Sequence, residues 1–189
     1  MTAPGLHIIG LCGAAGAGKS TVAQLLEQHH GYSQIALADP ILDMVHALFA
    51  AAGVDGAWAV ERSLKEQPTT LGFSYRHLAQ SLGTEWGRNT IAPDLWLRVA
   101  AGRINQLRLH QADVVVSDIR FPDEAAWLLQ KSGTLVCVHR AGIPGARPHE
   151  SEAHWPSLPA THHIHNDGSL ATLADSVHRL VLHLNRPTT

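Results

Sequence analysis

The chain has 189 residues, 45% of them hydrophobic, a formal net charge of −2 and two cysteines. That length builds one well-buried domain with room for a small inserted lobe, and excludes two large ones. The charge excludes a general basic surface for nucleic acid polymers, and no apolar stretch reaches membrane-spanning length. The N-terminus shows no charged region followed by an apolar one, so the expectation is a cytoplasmic protein that binds a small anion through local arginines.

The first strand-like run, 6–12, is Leu6-His7-Ile8-Ile9-Gly10-Leu11-Cys12. It feeds Gly13–Ser20, GAAGAGKS, which matches G-x-x-x-x-G-K-[ST] and opens a helix with Thr21-Val22-Ala23-Gln24-Leu25-Leu26. Glycines 13, 16 and 18 let the backbone turn its N–H groups toward phosphate oxygens, and the helix adds its unpaired N–H groups and positive dipole end. Gly13, Ala14, Gly16, Ala17, Gly18, Lys19, Ser20 and Thr21 thus read as a nucleoside triphosphate site. Lys19 reaches the β- and γ-phosphates and the Ser20 hydroxyl ligates Mg²⁺.

A strand over 33–38 follows, then Asp39-Pro40 as an N-cap with a proline in the first turn, opening a helix over 41–52. The stretch 50–72 carries no specific pattern and is expected to set acceptor size and base choice. The next strand, 112–117, is apolar on both faces, as a strand buried between helix layers should be. Asp118 at its end reads as an acid that holds Mg²⁺ directly or through water. Phe121-Pro122-Asp123-Glu124 opens a helix over 123–132, with acids near the positive helix end. A strand at 134–139 leads into Arg140-Ala141-Gly142-Ile143-Pro144-Gly145-Ala146-Arg147-Pro148, a candidate lid. The last strand, 162–165, precedes Asn166-Asp167-Gly168 and a helix over 169–185. Leu170, Leu173, Ala174, Val177, Leu180, Val181 and Leu184 form its core stripe.

Such β-α alternation predicts an α/β protein whose parallel sheet carries helices on both faces, with ligands beyond the carboxyl ends of the strands. Cys12 and Cys137 lie in apolar runs and read as small buried side chains. Among the 14 histidines, alternation puts His163 and His165 on one strand face. With no third ligand at a standard spacing, they read as surface residues, and His149 is singled out only as a lid residue that reaches phosphate.

Four blocks carry a family resemblance: GAAGAGKS, Ala36-Leu37-Ala38-Asp39-Pro40, Tyr75–Arg88 (YRHLAQSLGTEWGR) and Ser117–Ala125 (SDIRFPDEA). Together with His149-Glu150-Ser151-Glu152 and Ile164–Ser169, the chain resembles the deoxynucleoside monophosphate kinases of tailed bacteriophages and prophages over nearly its whole length. The resemblance implies a P-loop kinase fold, a three-layer α/β/α domain on a five-stranded parallel sheet, working in bacterial host cytosol. Mg²⁺-ATP would be the donor and a deoxynucleoside monophosphate the acceptor. It implies an acceptor-binding helical lobe at about 41–92 with Asp39, Arg76, Gln80, Glu85, Trp86 and Arg88, joined by Arg120. A short lid at about 140–160 would carry Arg140, Arg147 and His149, and Asn166 and Gly168 would lie against the adenine. Lys19, Arg88, Arg120 and Asp39 are then the catalytic set, and Ser20 and Asp118 the metal ligands.

Alternatives stay open at this point. Asp39 contacts the acceptor sugar, positions Arg88, or simply caps its helix. Trp86, Trp96, Tyr75 and Phe73 are all eligible to stack on a base. A dephospho-coenzyme A kinase has a similar start and tail, and its hydroxyl acceptor would make Asp39 a general base. A nucleotide-sensing or assembly ATPase is the reading from another class, and monomer and homodimer are equally compatible with the sequence.

Overall fold

The computed structural model describes residues 6–61, 63–142 and 155–186. These form two compact units, one made of the described residues up to Ala36 and from Ala101 onward, the other of Leu37–Ala100.

The first unit holds β1 (Ile8–Cys12), β2 (Ser33–Ile35), β3 (Val114–Val116), β4 (Thr134–His139) and β5 (His162–His165). All pairings are parallel and the order is β2-β3-β1-β4-β5. Every residue of β1 and β3 is buried, because helices cover both faces of the sheet. On one face α1 (Lys19–His30) and α7 (Leu170–Leu184) pack Val22, Leu26, Val177 and Leu180 onto Ile9, Leu11, Val115, Val136, Val138 and Ile164. On the other face α6 (Pro122–Gln130) sets Leu128 against Gly10, where a Cβ would overlap the leucine methyl. The chain leaves β1 toward β2 and β3 on one side and returns as β4 and β5 on the other. The loop after β1 therefore opens at the topological switch point, the ligand position of open parallel sheets.

The strands at 134–139 and 162–165 match the sequence reading, while three others are shorter than expected. At the first strand's start, the His7 N–H donates to Asp113 Oδ1 at 2.7 Å, outside the ladder. The second ends at Ile35, where the chain turns toward the next helix, and the third is confined to Val114–Val116. Helix α1 starts two residues before Thr21, capped by Gly18 in a left-handed conformation (φ 103°). Ser169 Oγ accepts from the Thr172 N–H at 3.2 Å and caps α7. Leu170, expected in that helix's apolar stripe, is 63% exposed, because the first turn precedes the part that packs on the sheet.

The second unit contains α2 (Asp39–Ala52), α3 (Ala57–Val60), α4 (Tyr75–Gln80), a π-helical segment Ser81–Ile91 and the start of α5 (Leu95–Leu109). Asp39 is not the N-cap of α2. Ala38 takes that position, and Asp39 and Pro40 are the first helical residues, so Asp39 acts as an acid near the positive helix end. The unit's core is Val45, Phe49, Val54 and Tyr75, with Leu42, Leu78 and Leu82 packed against it.

The π-helical segment shows its wide register where the Ala92 N–H donates to Gly87 O at 3.0 Å, five residues back. Trp96 explains why the chain tolerates it. Its indole N–H donates to Gly83 O at 2.7 Å and its ring lies on Gly87, where a Cβ would overlap the aromatic atoms. Gly87→Ala should therefore destabilise the protein by about 1–3 kcal/mol through overpacking. Gly102→Ala, in α5 with open space around it, should stabilise by about 0.5–1 kcal/mol through helix propensity. Urea unfolding of the pair checks both; equal effects would show that the Trp96 contact is not tight.

Candidate active site

The loop between β1 and α1 has the backbone its glycines predict. Gly13, Gly16 and Gly18 have φ of 131°, 84° and 103°, conformations that a side chain rarely adopts. Lys19 Nζ donates to Gly13 O at 2.7 Å and to Ala14 O at 2.9 Å, and the Ala17 N–H donates to Ala14 O at 3.1 Å. Gly13 and Ala17 are buried, Ala14, Gly18, Lys19 and Thr21 half-buried, Gly16 and Ser20 exposed. Ser20, in the first turn of α1, is exposed at the end where the helix's N–H groups are unpaired.

Asn166 braces this loop through its side chain, a role the sequence did not signal. Its Nδ2 donates to Ala17 O at 2.9 Å, while its backbone N–H donates to His139 O at 2.7 Å. A Cβ on Gly18 would overlap that amide, so the glycine is required by close approach as well as by its positive φ. Gly168 is exposed, one residue before the α7 cap.

The segment after β3 is held as firmly. The Ile119 N–H donates to Leu11 O at 3.0 Å, tying the Asp118–Arg120 turn to the end of β1. Glu124 is 6% exposed, and its Oε2 accepts from the backbone N–H groups of Arg120 at 2.8 Å and Phe121 at 3.1 Å. The sequence marks Glu124 only as a first-turn acid; here its carboxylate fixes the backbone that carries Arg120. Asp118 and Arg120 are both half-buried. Glu124→Ala leaves two N–H groups without their acceptor and should cost about 1–3 kcal/mol, read by thermal unfolding. Glu124→Gln keeps an acceptor oxygen and should cost less; equal losses would mean that the carboxylate's bonds carry little.

Cys12 and Cys137 face each other across β1 and β4. Their thiol–thiol hydrogen bond, with burial, pushes Cys12 well up, while the same contact holds Cys137 down. Beyond β4, the Ala141 N–H donates to Asp167 Oδ1 at 2.5 Å, joining the exits of β4 and β5. Arg140 is exposed there, and Arg147 and His149 lie outside the described residues.

In the Leu37–Ala100 unit, Arg88 and Gln80 are half-buried and Glu85 is exposed. The Glu85 carbonyl accepts from Thr90 Oγ1 at 2.8 Å. Asp39 is half-buried at the head of α2, and Arg76, exposed, forms an ion pair with Glu66. Of the four aromatics eligible for a base, Trp96 and Tyr75 are 7% and 5% exposed and belong to the unit's packing. The Tyr75 hydroxyl is 3.1 Å from His46 Nε2. Trp86 and Phe73 are 41% and 52% exposed and remain available.

A family model described as deoxynucleotide monophosphate kinase matches residues 59–177. A protein of Acanthamoeba polyphaga mimivirus named "Putative deoxynucleotide monophosphate kinase" is 28% identical over 160 residues, covering 80% of this chain and 83% of that one. Among solved structures, TT1252 from Thermus thermophilus aligns at TM-score 0.54 and 20% identity, over 96% of this chain and 99% of its own. Dephospho-CoA kinase from Campylobacter jejuni aligns at TM-score 0.52 and 14% identity, over 94% and 96%. Shikimate kinase from Aquifex aeolicus aligns at TM-score 0.51 and 13% identity, over 94% and 95%. At these identities the structural likeness speaks for the fold, a P-loop kinase fold on an all-parallel five-stranded sheet. No helix of the described residues is long and apolar enough to cross a membrane.

Proposed function

The chain belongs to the deoxynucleotide monophosphate kinase family, and on that premise we propose that it transfers the γ-phosphate of Mg-ATP to a deoxynucleoside monophosphate. The observation that carries the reading is the preformed phosphate loop, with Lys19 lying across it and its strand, helix and Asn166 brace in place. A phosphate oxygen of the acceptor attacks the γ-phosphorus, the bond to the β-phosphate oxygen breaks, and ADP leaves with a deoxynucleoside diphosphate. The second pKa of a phosphomonoester is about 6, so at neutral pH the attacking group is already a dianion and requires no general base.

What the reaction requires is charge compensation and alignment. We assign the donor to Gly13–Thr21, with Lys19 on the β- and γ-phosphates and Asn166 and Gly168 beside the adenine. Ser20 and Asp118 offer a hydroxyl and a carboxylate, the hard oxygen donors that Mg²⁺ takes, and they fit its assignment here. When bound, Mg²⁺ neutralises charge on the β- and γ-phosphate oxygens. Arg88 and Arg120 are assigned to the transferred and acceptor phosphates, since guanidinium groups stay charged and bind phosphate oxygens in pairs. Arg76, Gln80, Glu85 and Trp86 are assigned to the acceptor, Asp39 to its sugar or to Arg88, and Arg140, Arg147 and His149 to a lid. We place its work in the cytosol, where ATP and deoxynucleotides are found.

The test is a coupled ADP-release assay with Mg-ATP against deoxynucleoside monophosphates, ribonucleotides and dephospho-coenzyme A. Turnover dependent on one or a few deoxynucleotides is expected, and names the base. Turnover with dephospho-coenzyme A alone, or ATP hydrolysis indifferent to any acceptor, would sink the proposal.

A further inference from the structure

Outside the phosphate loop, the densest gathering of chemically reactive side chains among the described residues lies where β4 meets β5. Val136, Val138 and Ile164 belong to the core under α1 and α7. Alternation along the strands therefore sends Cys137, His139, His163 and His165 to the opposite face. The parallel register pairs Cys137 with His163 and His139 with His165, so the four form a two-by-two patch. His139 Nε2 lies 2.9 Å from His163 Nδ1, and the His139 ring stacks on that of His165 at 5.0 Å between centroids. Trp155 covers the His139 ring edge-on at 6.2 Å.

We propose that Cys137, His139 and His163 form a binding site for a transition metal of the zinc class, clipping the edge strand β5 to β4. One ligand atom from each residue lies within 4.8 Å of the other two. A tetrahedral zinc with bonds of about 2.0–2.1 Å to nitrogen and 2.3 Å to sulfur holds its nitrogens about 3.3 Å apart and nitrogen from sulfur about 3.6 Å. The His139 and His163 nitrogens, 2.9 Å apart, are close to the first of these spacings, and the Cys137 sulfur lies within 4.8 Å of a nitrogen on each ring. A thiol and two imidazoles are the borderline-soft donors that select zinc over magnesium. Two further observations favour a built site. The ligands stand on paired strands rather than on loops, and the His139 carbonyl is fixed by the Asn166 N–H at 2.7 Å. Binding exchanges the Cys137 S–H bond for a sulfur–metal bond and releases that proton to solvent. His163 is exposed, so the fourth position goes to water. None of these residues has been given a part in phosphoryl transfer, and the site stands or falls independently of the kinase reading.

The test adds Co²⁺, then Zn²⁺, to the untagged full chain. One equivalent of Co²⁺ should give the intense visible bands of a tetrahedral site with a near-ultraviolet thiolate-to-metal band, and Zn²⁺ should displace it and raise the Tm. Cys137→Ser should remove the near-ultraviolet band. His163→Ala, at an exposed position that leaves the fold intact, should weaken Zn²⁺ binding about tenfold or more against a chromophoric chelator. His30→Ala, at a histidine stacked with His178 between α1 and α7, should leave it unchanged. A weak, six-coordinate cobalt spectrum, or equal zinc affinity in the parent and His163→Ala, would overturn the proposal.

Discussion

Lys19→Ala is expected to lower kcat/KM for ATP by about 10²–10³ or more while the protein remains folded. The ammonium sits across the loop, bonded to Gly13 O and Ala14 O at 2.7 and 2.9 Å. In that place it bridges two of the loop's carbonyls, so the turn is held before any phosphate arrives. On the proposed kinase reading, a bound triphosphate would draw the lysine from these carbonyls to its phosphate oxygens, where its charge would meet the charge that develops on transfer. Alanine removes that charge and nothing of the core, since Lys19 is only half-buried and water can serve the two carbonyls. Lys19→Arg should also fail, because a planar guanidinium does not take the place of a compact ammonium between two carbonyls. The coupled ADP-release assay reads the loss, and thermal unfolding reads the fold. Retention of kcat/KM within about threefold of the parent would remove Lys19 from the mechanism.

The loop was legible because its chemistry is local: glycines at fixed offsets, a strand before and a helix after. Strand β4 was legible for a related reason, being a short apolar run bounded by turn residues, and β5 is a short run ended by the turn residues Asn166-Asp167-Gly168. What the sequence hid depends on contacts between distant segments. Asn166 was read by its position after β5, but its amide belongs to the Ala17 carbonyl, 149 positions away in the chain. Glu124 was read as an acid near a helix dipole, and its burial against two N–H groups of the preceding turn needed the fold. The π-helical register of Ser81–Ile91 has no signature in a hydrophobic pattern; it goes with Trp96, whose indole N–H bonds Gly83 O and whose ring lies on Gly87. Histidines 163 and 165 were seen to share a face, whereas their third and fourth companions, Cys137 and His139, emerged only from the register between β4 and β5. Asp39 was displaced by a single residue, because proline is tolerated at either of the first two helical positions and a cap is set by backbone angles.

Arg120→Ala is expected to lower kcat by about 10²–10³, the largest loss foreseen outside the phosphate loop. The prediction rests on how its backbone is held. Ile119 is hydrogen-bonded to Leu11 at the end of β1, and Glu124 accepts from the Arg120 N–H itself, so the residue's starting point is fixed on both sides. A guanidinium launched from a fixed backbone beside the loop strand loses less freedom on engaging a phosphate than one carried on a mobile loop, which favours electrostatic stabilisation with little reorganisation. Arg120→Lys should recover little of the loss, since an ammonium lacks the planar fork that pairs with two oxygens of one phosphate. Glu124→Gln should fall between parent and alanine variant in kcat, tracking how firmly the backbone is held. Asp39→Asn is the opposing case: with a dianionic phosphate as nucleophile, its pH–rate profile near neutrality should match the parent's. The outcome that would reverse this assignment is a kcat for Arg120→Ala within about threefold of the parent, together with an acid limb in the parent profile that is absent from Asp39→Asn. In that event the attacking group would need its proton removed, and the acceptor would be a hydroxyl rather than a phosphate.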